Sequence, residues 1–178
     1  MSYIILVAGI PAAGKTTYAR HIGEKLYIPV IVKDDIRDKL HESLKYDDSI
    51  SENGTRYGMA SISVFFHIAE CLMKAGVSFI LESNFTLRAV GDLSPLIQKY
   101  NYSSLTVLLD AEPEVAHKRF CERQGIDIKT DFGFSYNAKD SYRDFCIGEK
   151  ITIDTTDFTK VDYNKIDDLV IDFTEKLQ

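Results

Sequence analysis

Residues 9–17 set the terms on which this chain can fold. They read Gly9-Ile10-Pro11-Ala12-Ala13-Gly14-Lys15-Thr16-Thr17 and fit G-x-x-x-x-G-K-[ST], the pattern of a loop that wraps phosphate. The run before them, Tyr3 to Ala8, is continuously apolar and of strand length. The run after them, Thr17 to Leu26, reads as a helix with Ala19, Ile22 and Leu26 on one face. Gly9 and Gly14 allow backbone conformations that a side chain forbids. The loop amides and the free N–H groups of the helix start then converge on one point, where the helix dipole favours an anion. The expected nucleotide-binding set is Gly9, Ala12, Ala13, Gly14, Lys15, Thr16 and Thr17. Lys15 reaches the outer phosphates, and the Thr16 hydroxyl is an expected Mg²⁺ ligand.

The 178 residues suit one domain with its own core. Lys and Arg number 21 against 27 Asp and Glu, a net charge of −6. An acidic balance disfavours a long nucleic-acid partner, which needs clustered basic residues, although a local basic groove is still open to such a chain. Cys71, Cys121 and Cys146 are far apart and lack metal or redox spacing, so buried reduced thiols in a cytoplasmic protein are expected. The first residues lack the basic leader of a signal peptide. No apolar run is long enough for a membrane span. The residues do not fix an oligomeric state.

Downstream, the hydrophobic period alternates. Strands are expected at Tyr27–Val32, Val77–Glu82, Leu105–Asp110 and Ile151–Asp154. Helices are expected at Asp34–Leu44, Tyr57–Ala75, Glu112–Gln124 and Val161–Leu177, with a polar loop over Tyr46–Gly54. Leu87–Tyr100 reads as a broken helical stretch, with Pro95 near a helix start. Apolar strands separated by helices predict an α/β fold, a parallel sheet covered on both faces. Ligands of such sheets sit beyond the carboxyl ends of the strands.

Three of those ends carry candidate chemistry. After the second strand come Asp34, Asp35 and Arg37. A carboxylate there can take the proton of an attacking hydroxyl, and the arginine can hold an acceptor. One of the two acids is also a natural helix cap. Glu82 closes the third strand, where an acid can hold Mg²⁺, and Asn84 beside it can bond an acceptor. Arg119 and Arg123 lie one turn apart on the helix after the fourth strand. They precede residues 125–142, an irregular polar and aromatic stretch with the character of a lid.

Taken in order, these motifs resemble the P-loop kinases grouped around the 5′-kinase domain of polynucleotide kinase, zeta toxins and chloramphenicol phosphotransferase, with their AAA-type ATP-binding domain. The resemblance implies a three-layer P-loop NTPase fold with a five-stranded parallel sheet of order 2-3-1-4-5 and a lid. It implies an ATP- and Mg²⁺-dependent kinase in which Asp34 is the general base, Arg37 binds the acceptor, and Arg119 and Arg123 close over the phosphates. The chain departs from polynucleotide kinase at Glu82-Ser83-Asn84, where that domain carries Asp-Thr-Asn, and it lacks a basic tract for a strand. A small hydroxyl-bearing acceptor is therefore expected. A polynucleotide or tRNA kinase, a zeta-type toxin kinase and a regulatory ATPase are the alternatives.

Overall fold

The computed structural model describes residues 1–45, 51–129 and 142–177, with the side chains of residues 51–55 excepted. Its elements run β1 (Tyr3–Gly9), α1 (Lys15–Leu26), β2 (Val30–Val32), α2 (Lys33–Leu44), α3 (Ser51–Lys74), β3 (Phe79–Glu82), α4 (Leu87–Lys99), β4 (Ser103–Asp110), α5 (Pro113–Gln124), β5 (Glu149–Asp154) and α6 (Tyr163–Glu175). The described strands form one parallel sheet in the order β2-β3-β1-β4-β5. This is the expected order and the fold of P-loop kinases.

The apolar run of β1 is central and buried on both faces. Ile5 and Val7 face a cluster with Ala19 and Ile22 of α1 and Val170 and Phe173 of α6. Ile4, Leu6 and Ala8 face the opposite cluster, with Phe65 and Met73 of α3 and Leu93 and Ile97 of α4. The period of two along one strand thus builds both core layers. A buried carboxylate ties α1 to α6: Asp167 Oδ2 lies 2.7 Å from His21 Nε2 and 3.0 Å from Lys25 Nζ.

Several expected boundaries move. Residues 51–54 belong to α3 rather than to a loop. Their polar composition hides a helix that is carried by the apolar residues further along. Leu87–Lys99 is one unbroken helix with Pro95 inside it. Pro95 removes one backbone bond, but Ala89, Leu93 and Ile97 are buried at helical spacing and hold the helix together. Tyr27 leaves the second strand and caps α1 with φ 54°, its side chain in solvent. No cysteine is in a disulfide, but only Cys121 is buried and Cys71 is exposed. Of the expected lid, residues 130–141 lie outside the described residues.

After that segment the chain is pinned at Ile147. Buried Thr106 Oγ1 on β4 donates to the Ile147 carbonyl and accepts from its amide, both at 2.9 Å. Thr106→Val keeps the shape and strands both backbone groups. It should cost about 2–3 kcal/mol, read as a fall in the urea midpoint with an unchanged slope. A variant as stable as the parent refutes the pin.

Candidate functional site

The phosphate loop opens where β1 runs out of room. Gly9 has φ 133°, and a Cβ there collides with the Leu109 carbonyl of β4. Ala12 sits in the left-handed region at φ 59°, a conformation that costs a non-glycine residue about 1–3 kcal/mol. Gly14 precedes α1 at φ 88° and supplies no side-chain cap. The first amides of α1 therefore lack a side-chain acceptor and favour an anion.

Lys15 begins α1 and is only 7% exposed. Its Nζ donates to the Ile10 carbonyl at 2.8 Å. Burial lowers its pKa to about 8, against the charges of Glu82 and Asp34, which pull it up. Thr16 Oγ1 donates to Glu82 Oε2 at 2.7 Å. Glu82 ends β3, which pairs with β1, so the sheet register sets acid against hydroxyl. Burial pushes the Glu82 carboxyl up, opposed by Lys15 and by the Thr16 bond. Thr16 and Glu82 are hard oxygen donors at the mouth of an anion-binding loop, which suits Mg²⁺. No three His, Cys, Asp or Glu side chains come together among the described residues, so phosphate and water oxygens would complete such a shell.

A cavity of about 330 Å³ faces this cluster. Its wall includes Ala12, Gly14, Lys15, Thr16, Thr17 and Glu82 on the loop side. Asp34, Arg37, Asn84 and Arg123 also line it, together with Lys33, so most of the expected residues come together. Asp34 Oδ1 lies 2.6 Å from Lys33 Nζ and 3.6 Å from Arg37 Nη1. Burial pushes the Asp34 carboxyl up, but Lys33, Arg37 and Lys15 outweigh it and hold it below the usual carboxylate range.

Four expected residues are not on that wall. Gly9 shapes the turn behind it, and Ala13 is fully buried. Asp35 points to α1 and takes both its bonds from Arg20 Nη2, at 3.1 and 2.9 Å. Arg119 donates to the Thr155 and Thr156 carbonyls, both at 2.8 Å, and lies 3.9 Å over the Phe158 ring. Phe158 in turn packs toward Gly14. Sequence reasoning passed over Lys33 and Phe158. Lys33 had a readable signal: a lysine at the first position of a helix opposes the helix dipole.

Residues 4–133 match the AAA_33 family, an AAA domain. The chain belongs to that family. No curated protein sequence matches it. Among solved structures, this AAA-domain chain is similar to one from Chloroflexus aurantiacus described as a candidate kinase. The two are 24% identical with a TM-score of 0.84, over 98% of this chain and 97% of that one. Mycobacterium tuberculosis APS kinase, solved with AMPPNP and APS, is 15% identical with a TM-score of 0.63, over 98% of both chains. A sugar kinase from Janibacter sp. is 14% identical with a TM-score of 0.59, over 98% of this chain and 95% of that one. These likenesses establish the shared fold. No described helix is long and apolar enough to cross a membrane.

The buried ammonium has a consequence for stability. Lys15 binds its proton less tightly in the folded state, with a pKa of about 8, than an ordinary lysine in the unfolded chain at 10.5. Below pH 8 both states are charged and the folded state carries the full burial penalty. Between the two values the unfolded chain holds more proton, so stability rises with pH. Lys15→Met should therefore raise the Tm of the nucleotide-free protein at pH 7, and the gain should shrink from about pH 8 upward. A Tm lowered at pH 7, or a gain that grows with pH, contradicts this account.

Proposed function

We propose that this chain is an ATP-dependent kinase that transfers the γ-phosphate to a hydroxyl of a small-molecule acceptor. One observation carries the reading. A phosphate loop with its buried lysine and its Thr16–Glu82 pair shares a single cavity with an ionised carboxylate, Asp34. The wall carries four cations, Lys15, Lys33, Arg37 and Arg123, against two carboxylates, Asp34 and Glu82. An otherwise acidic chain thus presents a locally positive cleft, suited to a polyphosphate.

In this reading the loop amides and Lys15 hold the β- and γ-phosphates. Thr16 and Glu82 would hold Mg²⁺, which when bound neutralises phosphate charge. Arg37 and Asn84 orient the acceptor. Asp34 takes the hydroxyl proton as the new O–P bond forms. The bridging bond breaks, and its electron pair leaves on the β-phosphate of ADP. Arg123, on the far wall, balances charge on the transferring group. Such catalysis is mostly positioning and electrostatics. APS kinase and the sugar kinase, which share the fold, support a small acceptor. So do the departures from polynucleotide kinase at Glu82-Ser83-Asn84 and the lack of a basic tract, in a chain whose motifs otherwise resemble the polynucleotide kinase, zeta toxin and chloramphenicol phosphotransferase group.

The direct test is a screen of nucleosides, sugars, nucleotide sugars and oligonucleotides for acceptor-dependent ADP release. ATP turnover that no acceptor stimulates overturns the kinase reading in favour of an ATPase. The two acids of α2 should then separate. Asp34→Asn should lower kcat by roughly 10²–10⁴-fold with ATP affinity undiminished. Asp35→Asn breaks an ion pair that is more than half exposed on both partners, worth about 0–1 kcal/mol, and should leave kcat within a few-fold. The opposite ranking moves the base to Asp35.

A further inference from the structure

We propose that Lys33 is a second phosphate lysine: it pairs with Asp34 in the nucleotide-free protein and with the γ-phosphoryl group once nucleotide is bound. This rests on the kinase reading above and adds a residue to its machinery.

Three observations point to this. Lys33 follows directly on Val32, which is in register with Glu82. The sheet therefore delivers the lysine beside the acid that holds Thr16. Its side chain is only 18% exposed, low for a lysine, and it lines the cavity with Lys15. Its charge is felt by both Lys15 and Glu82. Finally, Lys33 is the first residue of α2, a helix with no side-chain cap bond. A cation there opposes the helix dipole. The 2.6 Å contact with Asp34 offsets that penalty, and another anion of higher charge could take its place.

A γ-phosphate arriving at the loop is such an anion, and it carries more charge than one carboxylate. Lys33 is flexible along its stem and needs no backbone movement to exchange partners. The exchange has a chemical use. Releasing Asp34 from its closest cation returns a carboxylate, held below its usual range, toward ordinary basicity as the acceptor proton must be taken.

Calorimetric titration with Mg·AMPPNP and Mg·ADP tests this without an acceptor. Lys33→Gln should weaken AMPPNP by roughly 10- to 100-fold, the range of a lost charge-assisted bond, with ADP changed by no more than a few-fold. Lys33→Arg should recover much of the loss. Asp34→Asn should tighten AMPPNP in the parent and less so in the Lys33→Gln background, because the two residues compete. Equal loss for both nucleotides, or no loss for either, overturns the proposal. A parent protein that binds neither nucleotide overturns the kinase reading itself. Thermal melts of each variant separate misfolding from lost binding, and Lys33→Arg, which keeps the charge, serves as the folded control.

Discussion

An ammonium group held under the end of a central strand is the constraint on which the site depends. Lys15 is taken out of water almost completely, and its Nζ donates to the carbonyl of Ile10. Burying an unpaired charge is costly. It is tolerable here because Glu82 and Asp34 lie within electrostatic reach and the loop fixes the donor's direction. Both supports come from strand ends. Glu82 closes β3 and Asp34 follows β2, so the parallel register brings the counter-charges to the same edge of the sheet as the loop. A polyphosphate bound at the loop would supply the remaining negative charge.

The two walls of the cavity are held differently. The loop wall grows from β1 and α1, which are packed into the core and tied to α6 through Asp167, His21 and Lys25. Helix α2 has no buried residue. Its ties include the exposed Arg20–Asp35 pair, the ring contact of His41 with Tyr57, and packing of Ile36 at the edge of the core. Local stability follows buried apolar contact. The phosphate side is thus set into the core, and the side carrying Asp34, Lys33 and Arg37 lies on a surface helix held against α1 and α3. That division suits a transfer reaction, since the donor must be fixed and the acceptor must enter.

Much of this was legible in the sequence because the signals were local. Continuous apolar runs marked the buried strands, and the loop pattern marked its own site. The missing part was set by direction. Asp34 and Asp35 are equal candidates in a string, but adjacent helix positions diverge by roughly 100°, sending one into the cavity and the other to Arg20. Arg119 and Arg123 share a helix face, yet one turn separates the cavity from the Thr155 and Thr156 carbonyls. Phe158 lies in a short turn with no motif around it, and only the fold brings it to Gly14 and Arg119. The start of α3 was hidden because its first turn is polar and carries Gly54.

Local rules are broken at several places, and how each break is compensated separates structure from chemistry. Pro95 interrupts the bonding of α4, but buried neighbours on the same helix compensate within the core. That break needs no ligand. Ala12 at positive φ, Gly14 without a cap, Lys15 without water and Lys33 against a helix dipole are different. Gly14, Lys15 and Lys33 leave positive potential or unfilled donors, Ala12 shapes the loop, and all four residues line one cavity. Packing cannot compensate these, because what they lack is negative charge. A sequence in which local preferences agree folds smoothly, and exceptions concentrate where function needs them. Here three of these exceptions converge on a volume that an anion of several charges would satisfy at once, whereas a single carboxylate from the chain could answer only one of them.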